Sequence, residues 1–172
     1  MSRDALPATG SVSVGVGAPP EALWGLVSDP STPARFSPEL VDAAFVDDGP
    51  AAVGAEIEGH NRNDRFAWTT RSTVVACAEP TSFAWSTGGT EAPGATWSFE
   101  VGRVAAGSTL THRVVFHAGG EPLSAAIEAE PERGHEIVAQ RMAQVLEGMQ
   151  RVVSGIAALV EGGEAAEVDS AS

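Results

Sequence analysis

The strongest candidate for catalytic chemistry in this sequence is a histidine, His112, in the last segment where apolar and polar residues alternate. His112, Val114 and Phe116 fall on one face of a predicted strand, and Arg113 and His117 fall on the other. Because successive side chains of a strand point to opposite faces, we expect the apolar face to point inward and Phe116 to line the interior. An inward imidazole titrates near neutral pH, so His112 is a candidate general acid or base for proton transfer on a carbonyl compound. The alternative role is a hydrogen-bonded structural histidine.

Large apolar side chains on several segments indicate a surface that binds an apolar molecule. Trp68, Trp85 and Trp97 each lie on a different predicted strand, and each indole combines a large apolar area with one N–H donor. Met142 and Met149 lie on the C-terminal helical segment, where flexible thioether side chains suit a ligand of variable shape. We expect these five side chains to contact a ligand, and ordinary core packing is the alternative for each.

The strand that carries Trp68 also indicates which of its faces is buried. Trp68 and Thr70 share one face, whereas Arg71 lies on the other. An unpaired arginine is costly to bury, so we expect Thr70 to point inward and to be a further ligand contact. A register shift of one residue would reverse this assignment.

Residue types that are missing exclude several kinds of catalytic chemistry. The chain has no lysine and no tyrosine, so it lacks a Schiff-base amine, a phosphate-loop lysine and a phenolic acid. The single Cys77 cannot form an internal disulfide or a multi-cysteine zinc site, which is typical of a reducing, cytoplasmic location. The sequence has no complete dinucleotide fingerprint and no His-Glu-x-x-His motif. We therefore predict no metal and no organic cofactor.

The charge of the chain narrows the class of partner. The formal net charge is −13, which repels phosphate backbones and anionic lipid surfaces, so no nucleic acid partner is expected. No apolar run is long enough to predict membrane insertion. The expected partner is a small hydrophobic molecule or another protein, and a homodimer stays open as an assembly state.

The order of predicted elements determines how these side chains are positioned. Alternating valines predict a strand at 12–16, Pro19 and Pro20 begin a short helix, and Pro33 begins a second one. Six further strands, predicted at 41–46, 56–62, 65–77, 82–87, 95–103 and 108–117, follow without an intervening helical pattern. This order predicts an antiparallel meander of about seven strands in all.

The C-terminal segment has the clearest helical period. Between 132 and 160, apolar residues recur at spacings of three and four, which traces one face of a long helix. Such a helix must bury its apolar stripe, and the concave face of a curved sheet is the partner that this chain offers. Gly148 and Gly155 lie seven residues apart on nearly the same side, where they permit close approach of backbone or a ligand; a mild bend is the alternative.

The two ends of the chain differ in composition from the middle. Residues 1–10 predict a disordered leader, and residues 161–172, rich in Gly, Ala, Glu and Asp, predict a disordered acidic tail. The remainder, 11–160, has the length of one domain.

In this order of elements, and in several short segments, the chain resembles the START-like (SRPBCC) superfamily and, within it, the bacterial polyketide cyclase/dehydrase-like group. The segments are residues 18–30 (APPEALWGLVSDP), 59–75 (GHNRNDRFAWTTRSTVV), 83–85 (FAW), 97–100 (WSFE), 107–111 (GSTLT) and 141–159. The resemblance implies an α+β helix-grip fold, in which a curved antiparallel sheet wraps around a long C-terminal helix and two short helices follow the first strand.

The resemblance also implies a function without deciding between two classes. Members of this superfamily hold apolar ligands in a cavity between sheet and helix, so the first expectation is a protein that binds a polyketide-like or lipid-like molecule. Asn61 and Arg62 match a recurring Asn-Arg pair, which implies that they hold the polar end of a ligand at the cavity mouth; a surface ion pair of Arg62 is the alternative. The second class is a cofactor-independent cyclase or dehydratase that uses His112, and the third is an accessory protein whose acidic surface is its working part.

Overall fold

Seven antiparallel strands form one sheet in the computed structural model, which describes residues 5–118 and 123–170, without the side chains of 163–170. The spatial order of the strands is β1-β7-β6-β5-β4-β3-β2, so β1 and β2 are the two edges. The strands are β1 (Ala8–Val16), β2 (Leu40–Phe45), β3 (Glu56–Arg62), β4 (Ala67–Ala78), β5 (Ser82–Thr87), β6 (Ala95–Val104) and β7 (Gly107–Phe116).

Three α-helices accompany this sheet in the described residues. Helix α1 (Pro20–Val27) follows β1, α2 (Leu123–Ala129) follows β7, and α3 (Gly134–Ser170) is the long C-terminal helix. The sheet and α3 together form the helix-grip fold that the sequence predicts. No helix in the described residues is long and apolar enough to span a membrane.

The predicted strands agree closely with the observed ones. The strands predicted at 56–62 and 82–87 coincide with β3 and β5, and the other boundaries differ by a few residues. The first strand is the exception: it begins at Ala8, inside the stretch predicted as a leader, and Ala5 and Leu6 before it are buried. Residues 1–4 of that stretch lie outside the described residues.

Two predicted helical features differ from the structure. The second short helix is only a 3₁₀ turn, Pro33–Arg35, and α2 was not predicted. Helix α3 continues beyond the predicted end at 160 as far as Ser170, into the stretch predicted as a tail, whose last two residues lie outside the described ones. The predicted apolar stripe of α3 is confirmed. Its buried members are Val138, Val145, Met149, Val152, Val153 and Ile156.

Helix α3 lies against β1 on one side and against the segment 36–39 on the other. Gly10 of β1 lies so close to α3 that a Cβ there would be 2.5 Å from the sulfur of Met142. On the opposite side, a Cβ on Gly155 would overlap the ring of Phe36, and one on Gly148 would be 3.3 Å from Cδ of Pro38. The two glycines therefore let the backbone of α3 approach this segment closely.

An ion pair completes the contact between α3 and this segment. Arg141 donates to both carboxylate oxygens of Glu39, at 2.7 and 3.0 Å. Residues 141, 148 and 155 are seven apart and therefore share one face of the helix. We call residues 36–39 the strap, because they run along this face and lead directly into β2.

Candidate functional site

The alternation of β4 runs as predicted. Ser72 and Val74, which share a face with Trp68 and Thr70, are buried. Arg71 is 55% exposed and binds Glu56 and Glu58 on the outer face. The Trp68 and Thr70 side chains therefore belong to the concave face, which is the face that α3 covers.

His112 lies on the concave face in the middle of β7 and is 3% exposed. Its ring stacks on Phe99, with centroids 4.1 Å apart and an interplanar angle of 16°. The rings of Trp85 and Trp97 lie 6.1 and 6.0 Å away. The imidazole is thus surrounded by three aromatic side chains from β6 and β5, the next two strands on one side of β7.

The hydrogen bond of His112 decides which of its ring nitrogens carries the proton. Nδ1 lies 2.9 Å from the carbonyl oxygen of Ser98. A carbonyl oxygen can only accept, so Nδ1 donates, and in the neutral ring Nε2 is left with its lone pair. This lone pair is the acceptor that His112 can offer to another molecule.

Nε2 of His112 has no partner within the described residues. Every fully enclosed side-chain nitrogen or oxygen there does have a partner. Nε2 is therefore not completely enclosed by protein atoms, although the residue as a whole is buried.

Burial lowers the pKa of His112 to about 4, because the imidazolium loses its hydration inside the aromatic cluster, and the carbonyl of Ser98 offsets this only in part. At neutral pH the ring is therefore uncharged. At pH 7 its one ring proton is the Nδ1–H held by the Ser98 carbonyl, so the imidazolium that a general acid needs is unpopulated, and the ring is a weak base. The ring is well suited to accept a hydrogen bond and poorly suited to act as a general acid.

We call Trp85, Trp97, His112, Phe116 and Met149 the inner group. Trp85 pairs with Trp97 across β5 and β6, and the ring of Trp97 meets that of Phe116 edge-on at 6.3 Å. Met149 of α3 packs into the same buried cluster as Phe116. These predicted site residues do lie together, under the middle of α3.

We call Asn61, Arg62, Trp68 and Thr70 the outer group. Asn61 pairs with Trp68 across β3 and β4, and its amide lies 3.5 Å from the hydroxyl of Thr70. Arg62 is exposed and has no ion pair among the described residues, so the alternative role, a surface ion pair, is absent there. Among the described residues, Trp68 joins no cluster of buried apolar side chains, and its ring packs on Phe66.

The strand register separates the two groups. One row of paired residues crosses the sheet from β4 to β7: Ser72, Thr87, Ala95 and Phe116. Along β4, Trp68 lies four residues from Ser72 of this row. Along β6, Trp97 lies two residues from Ala95 of this row, in the opposite direction. Six residues of strand cover about 20 Å, so the predicted site residues do not form one compact site.

Met142 lies beside the inner group without belonging to it. Its sulfur sits next to Gly10 at the β1 edge, and its neighbour Arg141 holds Glu39 of the strap. The carbonyl of Glu39 accepts the backbone N–H of Arg62 at 2.9 Å. The N-terminal part of α3 is thus connected to the outer group through the strap.

Direct packing of the sheet on α3 covers only part of the concave face. Leu110, Val114, Val153 and Ile156 are almost completely buried, whereas Trp85 and Trp97 are only partly buried. Two depressions in the described residues, of about 260 Å³ each, lie along β2 and the loop after it. The cavity between the sheet and α3 stays a prediction.

Phe99 and Ser98 are the functional neighbours that sequence reasoning missed. Phe99 forms the stacking surface for His112, and the Ser98 carbonyl orients the ring. The available signal was alternation, because Phe99 shares a face with Trp97 two residues earlier. The pairing of Phe99 with His112 depends on the β6–β7 register.

The other titratable candidates lie elsewhere. His60 is exposed on the outer face, between Asp42 and Glu58. Burial raises the pKa of the Cys77 thiol, which keeps it protonated and unreactive. No group of three or more metal-binding side chains occurs in the part of the chain that the structure describes.

The comparisons with known proteins agree with the observed fold. A family model described as polyketide cyclase / dehydrase and lipid transport matches residues 7–154. Curated proteins gave no match.

Solved structures similar to this chain include a polyketide-cyclase-like protein from Corynebacterium glutamicum, at 23% identity over 89% of this chain and 91% of that chain, with a TM-score of 0.65. The Zhui aromatase/cyclase from a Streptomyces species is 17% identical over 90% and 93% of the two chains, with a TM-score of 0.61. The di-domain ARO/CYC StfQ of the steffimycin pathway is 15% identical over 93% of this chain and 53% of that chain, with a TM-score of 0.69. At these identities the likeness shows the fold alone.

Proposed function

Because the chain belongs to the polyketide cyclase / dehydrase and lipid transport family, we propose that it binds a small aromatic molecule that carries a hydroxyl group. The ligand lies against Trp85 and Trp97, and its hydroxyl donates to Nε2 of His112. The observation that carries this proposal is the acceptor Nε2, which has no partner in the described residues although His112 is 3% exposed.

The chemistry of the inner group supports a neutral hydroxyl rather than a charged ligand group. Among the described residues, no cationic side chain forms an ion pair or hydrogen bond with His112, and the rings around it are aromatic. An anion there would lose its hydration without a compensating charge, whereas a hydroxyl exchanges one hydrogen bond for another. Phenols and enols combine this donor with a ring that stacks on tryptophan.

The names of similar proteins support the same ligand class. Two of them are described as an aromatase/cyclase or ARO/CYC, and the family description names polyketides and lipids. A hydroxylated aromatic ring satisfies both the aromatic lining and the single acceptor. Cofactor independence and a cytoplasmic location remain parts of this proposal.

Binding is favoured over catalysis by the protonation state of His112. A cyclase or dehydratase that used this residue as a general acid would need an imidazolium at neutral pH. The pKa of about 4 leaves that form unpopulated. Excluding water by a bound ligand lowers the pKa further, which strengthens the role of an acceptor.

The test compares two probes that differ in one donor. Calorimetric titration should show that 2-naphthol binds about tenfold more tightly than 2-methoxynaphthalene, which corresponds to one hydrogen bond to a buried acceptor. In His112→Phe this preference should disappear, while stacking still retains both probes. His60→Asn, which removes an exposed histidine, is the matched control and should keep the preference.

Two results would contradict the proposal. One is the absence of binding by either probe, and the other is a preference for 2-naphthol that persists in His112→Phe. His112→Leu provides a second variant if the phenylalanine does not fit, and circular dichroism checks that each variant is folded. Turnover of a hydroxylated substrate that is lost in His112→Phe would favour the catalytic class instead.

A further inference from the structure

The outer edge of β2 has no strand partner in the described part of the chain. β2 pairs with β3 on one side and has no neighbour on the other. Its sequence, LVDAAF, contains no proline, lysine or arginine, and its one charge, Asp42, is held by His60 at 2.5 Å. Unpaired N–H and C=O groups along such an edge are a template for another strand.

The surface around this edge is also apolar. Six large hydrophobic side chains are markedly exposed among the described residues, and three of them lie on β2 or in the loop after it. They are Val41, at 53% exposure, Val46 and Val53. Edge strands that avoid partners usually carry charges at such positions.

Two arginines at one end of β3 have no partner on their own chain. Of the nine arginines in the described residues, six form ion pairs with carboxylates and Arg35 lies over the ring of Phe36. The two that remain are Arg62, at the end of β3, and Arg65, in the β3–β4 turn. These two arginines flank Asp64, so this tip keeps a net positive charge in a chain whose net charge is −13, which favours an anionic partner.

The β3–β4 turn presents these arginines on a firmly built tip. The side-chain oxygen of Asn63 accepts the N–H groups of Arg65 and Phe66 at 2.8 and 3.0 Å. Phe66 is 57% exposed and packs on Trp68. We call this tip, residues 62–66, the knob.

The opposite end of β2 carries the complementary charge. Asp47 and Asp48 follow β2, are exposed, and have no ion pair among the described residues. Asp47 lines one of the two depressions, of about 260 Å³, together with Phe45 and Glu56. We call residues 45–48 the socket, because they combine acidic and apolar groups beside a depression.

We propose that this chain forms a two-fold dimer by antiparallel pairing of β2 with β2 of a second copy. β2 begins beside the knob, where Leu40 pairs with Asn61, and ends beside the socket, where Phe45 pairs with Ile57. Antiparallel pairing places the start of each β2 next to the end of the other. Each knob therefore faces the socket of the second copy, and the two-fold axis closes the assembly at two chains.

Repulsion between two chains of net charge −13 does not prevent this pairing. At about 0.15 M salt the screening length is roughly 8 Å, so only charges near the shared edge act on each other. At that edge each copy contributes Arg62 and Arg65 against Asp47 and Asp48. The dimer is independent of the ligand proposed above, since the inner group lies on the concave face.

Sedimentation equilibrium with charge-reversed variants tests this dimer. At roughly 100 µM protein, the natural chain should have twice its mass of 17.6 kDa. Arg62→Glu/Arg65→Glu and Asp47→Arg/Asp48→Arg should each be monomeric, because like charges then meet at both contacts. An equimolar mixture of the two variants should restore a dimer, since knob and socket are again opposite in both contacts.

Arg103→Glu/Arg151→Glu changes the net charge equally at surfaces far from β2 and should stay dimeric. Circular dichroism checks that every variant is folded. A natural chain that is monomeric at this concentration overturns the proposal. So does a dimer that survives in Arg62→Glu/Arg65→Glu, or a mixture of the two folded variants that stays monomeric.

Discussion

At the scale of single residues, His112 combines deep burial with one free acceptor. Its Nδ1 is held by the Ser98 carbonyl and its ring by Phe99, so neither the tautomer nor the orientation can vary freely. Because Nε2 is a neutral acceptor in a fixed position, it favours ligands that carry a hydrogen-bond donor at the matching position. This is how a mostly apolar surface can still discriminate between similar aromatic molecules.

The depressed pKa of His112 predicts how stability depends on pH. The unfolded chain binds a proton near the ordinary value of 6.5, whereas the native chain stays neutral down to about 4. Between these values the unfolded state holds more protons, so His112 lowers the free energy of unfolding as the pH falls, by roughly 3 kcal/mol over the whole interval. Urea unfolding at several pH values should show a smaller loss in His112→Phe than in the natural chain.

His60 provides a control of opposite sign. Asp42 raises the pKa of His60 through a hydrogen bond, so its stabilising effect is present at low pH and is lost as the pH rises through its folded pKa. His60→Asn should therefore lose more stability than the natural chain when the pH is lowered. An identical pH dependence for His112→Phe and the natural chain would show that His112 is not buried as a neutral ring.

At the scale of elements, the strap determines how close α3 can lie to the start of β2. Phe36 and Pro38 rest on glycines of α3, and Glu39 binds Arg141 one further heptad along the helix. Glycine inside a helix costs about 1 kcal/mol in propensity, so the two glycines are tolerated where the strap needs the space.

The two strap glycines should respond differently to alanine. Gly155→Ala displaces the ring of Phe36, and overpacking of this kind costs about 1–3 kcal/mol, more than the gain in helix propensity. Gly148→Ala meets only Cδ of Pro38 at 3.3 Å, so most of the propensity gain should remain. Urea unfolding followed by tryptophan fluorescence should give a Gly155→Ala protein at least about 1 kcal/mol less stable than Gly148→Ala.

A double variant identifies the cause of that difference. Phe36→Ala removes the ring that a Cβ on Gly155 would displace, so the additional cost of Gly155→Ala should largely vanish in that background. If the cost persists without the ring, the strap contact does not explain the glycine.

At the scale of the whole molecule, the charge of the chain opposes its compact state. A net charge of −13 is spread over 172 residues, and most arginines are already paired with carboxylates. Repulsion between the remaining carboxylates is relieved when the chain unfolds.

Salt should therefore stabilise this protein. Raising NaCl from about 10 mM to about 300 mM shortens the screening length from roughly 30 Å to about 6 Å and weakens repulsion more than it weakens the short ion pairs. The urea midpoint, measured at dilute protein to keep the assembly state constant, should rise over this range. A falling midpoint would mean that the ion pairs outweigh the repulsion.

The sequence by itself determined the fold, the strands and the buried stripe of α3, because binary patterning with a period of 2 or 3.6 residues is a local property. It also indicated the inward face of β4, because placing Arg71 on the outer face assigns every other residue of the strand to one face or the other. Only the tertiary structure decided that the predicted site residues form two groups, because strand register sets distances along a sheet. Register likewise places the Ser98 carbonyl against His112 and so determines its tautomer. How far the space under α3 is filled depends on the fit of side chains from both layers, which no pattern along the chain records.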